Sequence, residues 1–297
     1  MNRKILLMFV ATTLLTAGCI GGGGNNQPQP NVPTFTQTDG LSIDFDSAAS
    51  SYYTGDRATF IVEMQNTGEA DAWLRQVKLY KAAWIDQPFI FTGDKVRLSG
   101  VDRNNNLPGR SRTFTANPRI DVSLETGSSY TYDVGLRVKY DYTTDARSKF
   151  TVVPFKRFRG EEDEEPARRP ISTSYTGGPM KVEVNANEPL PAEAGIVTLP
   201  ITITNMGDGR LAENANGREA LGPGSFIQLE AGDAQIRGCE LEGGNLVMYD
   251  DQKQIFCTID IGKAAINTPT DLVLKTHLEY TYVEDKQTQI EVKSTGR

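Results

Sequence analysis

The stretch Val134-Gly135-Leu136-Arg137-Val138-Lys139-Tyr140-Asp141-Tyr142 decides how this chain folds. Apolar and aromatic residues at 134, 136, 138, 140 and 142 alternate with Gly135, Arg137, Lys139 and Asp141. A period of two puts one set on a buried face and the other in water, which predicts an antiparallel strand packed on one side. Leu272, Leu274, Thr276, Leu278, Tyr280 and Tyr282 repeat the pattern against Val273, Lys275, His277, Glu279 and Thr281.

This second strand lies about 140 residues after the first, and other blocks recur at nearly the same spacing. Leu41-Ser42-Ile43-Asp44-Phe45 returns as Met180-Lys181-Val182-Glu183-Val184, an offset of 139. Phe60, Val62, Met64, Asn66 and Gly68 return as Leu199, Ile201, Ile203, Asn205 and Gly207, also at 139. Phe150 and Val152 return as Ile290 and Val292, at 140. A fixed offset across several blocks is the signature of an internal repeat. The expectation is all-β: two tandem antiparallel β-sandwiches, residues 40–155 and 179–295, which the resemblance given below makes immunoglobulin-like. Each copy is expected to end in a hairpin, turning at Thr143 to Ser148 and at Val283 to Thr288. Pro200, with no N–H to give a ladder, is expected on an edge strand. Residues 73–84 fit either a helix, through Trp73, Val77, Tyr80 and Trp84, or a strand with Trp73 facing inward; the strand is favoured because a sandwich needs one after Asn66-Thr67-Gly68.

Between the copies, residues 156–178 join Lys156-Arg157-Phe158-Arg159 to Glu161-Glu162-Asp163-Glu164-Glu165 and Arg168-Arg169. Opposite charge blocks without apolar periodicity predict a solvated linker, with cation or partner docking on the carboxylates as the alternative. Ahead of the first copy, residues 19–39 are rich in Gly, Asn, Gln and Pro and predict a tether. Residues 1–18 carry Arg3 and Lys4, an uncharged run from Ile5 to Leu15, and Thr16-Ala17-Gly18 before Cys19. At ~1.5 Å per residue that run is too short for a ~30 Å hydrocarbon layer, so it reads as an export signal.

Leu15-Thr16-Ala17-Gly18-Cys19 resembles the lipobox of prokaryotic lipoproteins, with Thr16 where the usual leucine stands and Leu15 one place earlier. The glycine run after Cys19 is similar to that of many archaeal surface lipoproteins. The resemblance implies that Cys19 is lipidated, becomes the mature N-terminus and holds the protein on the outer surface of the membrane. Glu63-Met64-Gln65-Asn66-Thr67-Gly68, with Ala70, Ala72 and Val77-Lys78-Leu79-Tyr80 after it, resembles the immunoglobulin-like CARDB modules of bacterial and archaeal surface proteins. With Cys19 given to lipid, Cys239 and Cys257 are left, and outside the cytoplasm they are expected to pair as a disulfide.

Composition then narrows the chemistry. The chain has 297 residues and a formal net charge of -7, with 31 Lys+Arg against 38 Asp+Glu. Losing Arg3 and Lys4 with the signal makes it -9, a poor match for nucleic acid or anionic headgroups, so lipid must supply the membrane hold. One histidine leaves no imidazole cluster for metal or nucleophile chemistry. His277 alternates onto the wet face, and Asp102-Arg103-Asn104-Asn105-Asn106 lacks the Gly and Glu that complete a calcium loop, so it reads as a polar turn. Tyr140, Tyr142, Tyr280 and Tyr282 read as core rather than as a stacking platform. No catalytic residue, metal or cofactor is expected.

Two segments are candidates for partner contact: Trp84, Phe89 and Phe91, against a core-strand reading, and the polar loop with Asn214, Asn216 and Arg218, against a mobile loop. The functional expectation is a lipid-anchored cell-envelope protein with a binding, adhesive or structural role toward a surface protein or glycan. A ligand-capturing or sensing subunit and a hydrolase using two carboxylates are the alternatives.

Overall fold

In the computed structural model, the residues described are 40–81, 84, 89–160, 168–213, 219–230, 234–239, 246–248, 250–262 and 268–295. Cys19, the tether, the acidic block 161–165, and Asn214, Asn216 and Arg218 lie outside them. The first repeat contributes β1 (Leu41–Ser47), β2 (Ser51–Tyr53), β3 (Phe60–Asn66), β4 (Ala72–Tyr80), β5 (Phe89–Leu98), β6 (Ser111–Ala116) and β7 (Ser129–Pro154). A one-turn helix, α1 (Phe155–Phe158), and strands β8 (Arg169–Pro170) and β9 (Ser172–Tyr175) follow. The second repeat contributes β10 (Met180–Val184), β11 (Asn187–Glu188), β12 (Leu190–Ala192), β13 (Ile196–Asn205), β14 (Arg210–Leu211), β15 (Phe226–Leu229), β16 (Gln235–Cys239), β17 (Gln252–Asp260) and β18 (Thr270–Lys293). The fold is an all-β sandwich in which β1-β3-β6 and β10-β13-β17-β16 form small sheets and a nine-stranded sheet runs β14-β18-β7-β4-β5 with β2, β9, β12 and β15 attached.

The expected hairpins do not form. β7 and β18 run straight through the expected turns and pair antiparallel from Ser129↔Lys293 to Val152↔Thr270 without a shift. The reason lies in the residues. Thr143-Thr144-Asp145-Ala146-Arg147-Ser148 has no Gly, Asn or Pro to take a turn conformation, and its alternation continues inward through Thr144, Ala146 and Ser148, all buried. One consequence is that the two copies are not separate bodies. The described residues from Gly40 onward form one compact unit with a single core that includes residues of all three of these sheets.

Repeat offset and strand register together define an internal pseudo-twofold. Paired residues of β7 and β18 are related by Asp141↔Thr281, and at offset 140 these two are also repeat equivalents, so the axis passes between them. The flanking strands obey it: β4 pairs β7 with Leu74 opposite Tyr140, and β14 pairs β18 with Leu211 opposite Tyr282. The even-numbered face of the central pair is buried, from Val134 to Val152 and from Leu272 to Tyr282.

At the axis the buried face is tyrosine. Tyr140, Tyr142, Tyr280 and Tyr282 are each at most 1% exposed, with Tyr140 and Tyr282 ring centroids 5.7 Å apart. Their hydroxyls are spent in matching ways. Tyr140 donates to Glu284 at 2.7 Å, and its equivalent Tyr280 shares a 2.8 Å bond with Thr144, the equivalent of Glu284. Tyr142 donates to the Gly177 carbonyl at 3.0 Å and Tyr282 to Asn205 Oδ1 at 2.6 Å. Burial drives the Tyr140 and Tyr280 hydroxyls well above the ordinary tyrosine pKa, so both stay protonated and neutral.

The two Asn-x-Gly elements sit against these rings. Asn66 Nδ2 donates to the Ala70 carbonyl at 2.8 Å while Gly68 N–H donates to Asn66 Oδ1 at 3.1 Å. Asn205 repeats both bonds, to Gly209 at 2.8 Å and from Gly207 at 3.3 Å. Each glycine is needed for close approach: a Cβ on Gly68 would stand 1.9 Å from the Tyr142 hydroxyl, and one on Gly207 2.7 Å from that of Tyr282.

Three further expectations are corrected. Pro200 is in β13, an interior strand between β10 and β17. It is tolerated because β10 ends at Val184, just where the Pro200 N–H would have been required, while the Pro200 carbonyl still accepts from Asn185 at 2.9 Å. The described parts of segment 156–178 are not a free linker. Ser172–Tyr175 pairs with Lys149–Ala146 of β7, Ile171 is buried, and the guanidiniums of Arg159 and Arg168 lie over Phe155 and Phe158. Ala72–Tyr80 is a strand, as favoured, but Trp73 faces outward, because a bulge between Leu74 and Gln76 switches the inward set from Ala72 and Leu74 to Val77 and Leu79.

Candidate functional site

That bulge matters because it leaves the Trp73 indole 39% exposed on the wet side of the central sheet. Burying an indole there would need a second layer, and none covers it among the described residues. Around it, β7 presents Asp141, Thr143 and Asp145, β18 presents His277 and Glu279, β5 presents Lys95 and Arg97, and the Glu69-Ala70-Asp71 turn forms one wall. Two adjoining hollows of ≈ 730 Å³ and ≈ 470 Å³ share Glu69, Asp145 and Thr176, forming one groove that starts at Asp141 beside the pseudo-twofold and runs to one side of it.

The polar side chains of the groove are held in place. Arg75 and Lys95 each meet an Asp141 oxygen at 2.5 Å, and Thr281 Oγ1 donates to Asp141 at 2.8 Å. Partial burial works to raise the Asp141 pKa, yet these donors outweigh it and hold the carboxyl below its ordinary value. Arg97 bonds Asp71 at 2.6 Å and lies 5.9 Å from the Trp73 ring centre, while Arg103 bonds Glu69 at 2.5 Å. At the other end His277 Nδ1 is 2.7 Å from Asp145 and stacks on Phe226, 46% exposed, at 5.1 Å. His277 and Arg137 are repeat equivalents, and Arg137 makes the symmetric cross-strand bond to Asp285 at 2.7 Å.

The arrangement offers two exposed aromatic rings and a row of fixed donors and acceptors. It suits a ligand that stacks and hydrogen-bonds rather than one held by net charge. Among the described residues no group of three or more His, Cys, Asp or Glu is placed to hold a metal. Asp102 is consumed by its own turn, accepting from the Asn104 and Asn105 amides and from Asn105 Nδ2.

Of the residues expected to make contact, Trp84 is buried and meets Tyr132 edge-on at 5.8 Å, and Phe91 is half-buried against Phe114; the side chain of Phe89 is not among those described. Trp84 and Phe91 therefore belong to the core. Trp73 and Phe226 are the exposed rings of the groove, and sequence reading missed both. Cys239 and Cys257 do form a disulfide, tying β16 to β17. No protein-family model matches the chain, and no curated protein matches it.

Proposed function

We propose that this protein is a lipid-anchored component of the cell envelope that binds an envelope glycan in the groove on the outer face of its central sheet. The observation that carries the reading is Trp73, lifted out of the core by a bulge and set beside polar side chains already locked by Asp71 and Asp141. An indole face suits the C–H face of a sugar ring, and fixed carboxylates and cations accept and donate to its hydroxyls at little ordering cost. The lipobox-like Cys19 supplies the membrane hold, and the disulfide fits an oxidising compartment.

The test has two parts. Full-length protein should enter the detergent phase and Cys19→Ala should not; an unlipidated, soluble wild-type chain overturns the anchoring. In a Trp84→Phe background, Trp73 is the single reporter, and adding fragments of the host's own envelope polysaccharide should shift its emission. Trp73→Ala should weaken binding, read by calorimetry, at least tenfold, and equal binding by that variant overturns the site.

A further inference from the structure

The two copies differ at one edge in a way that the groove does not explain. β3 and β13 are repeat equivalents, so the strands beside them, β6 and β17, correspond. On its far side β17 carries β16, while among the described residues no strand pairs with β6 there. The register shows which backbone groups of β6 face that open side. Asn66 N–H donates to the Arg110 carbonyl and Ala58 N–H to the Pro118 carbonyl, so the even-numbered residues of this strand bond toward β3. The N–H and C=O groups of Ser111, Thr113 and Thr115 therefore point outward, and all three residues are exposed.

Charge marks the same edge. Arg110 and Arg112 open the strand, and Arg57 and Arg119 bridge at its other end; all four are exposed. None of the four has a carboxylate partner among the described residues; Arg57 donates instead to the Asn117 carbonyl at 3.0 Å, and Arg112 lies 5.3 Å from the Phe114 ring centre. In a chain of net charge -7, where most cations on the central sheet are paired, four such arginines along one edge form a local positive strip.

We propose that the free edge of β6 is a docking site for an extended acidic peptide segment of a partner protein, which adds as a strand. Main-chain bonds to Ser111, Thr113 and Thr115 supply the pairing, and the arginines select carboxylates and set the direction of approach.

Full-length protein in detergent is titrated against a fluorescein-labelled peptide of alternating Glu and Val, with alternating Lys and Val as control. Saturable binding of the acidic peptide alone is expected, with protection of the Ser111, Thr113 and Thr115 amides from hydrogen exchange. Arg110→Glu with Arg112→Glu should weaken it at least tenfold. Thr113→Pro removes an outward N–H and no ladder bond, so it should abolish binding at an unchanged melting temperature. A peptide methylated on alternate backbone nitrogens asks the same question with the protein intact. Failure to bind, equal binding of the N-methylated peptide, or preference for a sulfated polysaccharide over the peptide would overturn the proposal.

Discussion

Asp141 and Thr281 face each other on neighbouring strands, joined by a 2.8 Å hydrogen bond, and they are also the same position in the two copies of the repeat. Two copies that meet at equivalent residues across antiparallel strands are arranged as a symmetric dimer is, here within one chain. The groove and the tyrosine cluster lie on opposite faces of that junction, so the buried core and the proposed binding groove share the same pair of strands.

Because each copy is the other's missing neighbour, the described body should unfold as one. Either copy alone would expose the edge of β7 or β18 over more than twenty residues and uncover the tyrosine face. A soluble form beginning at Gly40 is expected to show one calorimetric transition with equal calorimetric and van't Hoff enthalpies. Residues 40–155 and 179–295 produced separately should each lack a cooperative transition. Two transitions in the whole, or two stable halves, would contradict this.

The glycines of the two Asn-x-Gly elements give a graded test. Gly68→Ala places a methyl 1.9 Å from the Tyr142 hydroxyl and 2.6 Å from the Gly177 carbonyl, while Gly207→Ala meets the Tyr282 hydroxyl at 2.7 Å. Overpacking of this kind costs about 1–3 kcal/mol, so Gly68→Ala should fall at or above the top of that range and Gly207→Ala near its lower end. Urea denaturation of both variants checks the order. Equal losses would mean that the two elements do not pack on the rings as described.

Much of this was legible in the amino acids. The alternation from Val134 to Tyr142 identified the strands and their buried face, and the repeat offset paired Asn66 with Asn205 and Tyr140 with Tyr280. The hairpins are not legible because polar residues at Thr143 to Ser148 suit a turn, while small side chains at Thr144, Ala146 and Ser148 fit a buried sheet face equally well. The side on which Trp73 lies is hidden for a different reason. A bulge changes the side on which every earlier residue of a strand points, and nothing in Leu74-Arg75-Gln76 announces one. The groove combines six separate segments, and only the register of β7 on β18 brings Asp145 to His277.

The Cys239–Cys257 bond ties the outermost strand of the second copy to its neighbour. Reduction should therefore cost stability, by about 2–5 kcal/mol, without changing the central sheet. Intact mass should rise by two hydrogens on reduction, and the urea midpoint should fall. Free alkylation of both thiols in the untreated protein would show that the bond is absent.

The last expectation concerns acid. Asp141 is desolvated, but its bonds to Arg75, Lys95 and Thr281 hold its pKa below the ordinary carboxylate value; at Asp285 the Arg137 bond is the leading cause of a shift in the same direction. A carboxylate whose pKa is lower folded than unfolded contributes stability that is fully present above the unfolded value of ~3.9 and is lost as pH falls through the folded one. Asp141→Asn should therefore destabilise the protein at neutral pH, by about 1 kcal/mol because Arg75 and Lys95 are half exposed to solvent. The difference between variant and wild type should shrink below pH 4, where the wild-type carboxyl takes up its proton. Melting temperatures of both proteins between pH 7 and pH 2.5 measure this. A gap that stays constant, or widens in acid, would show that Asp141 acts through its shape and not through its charge.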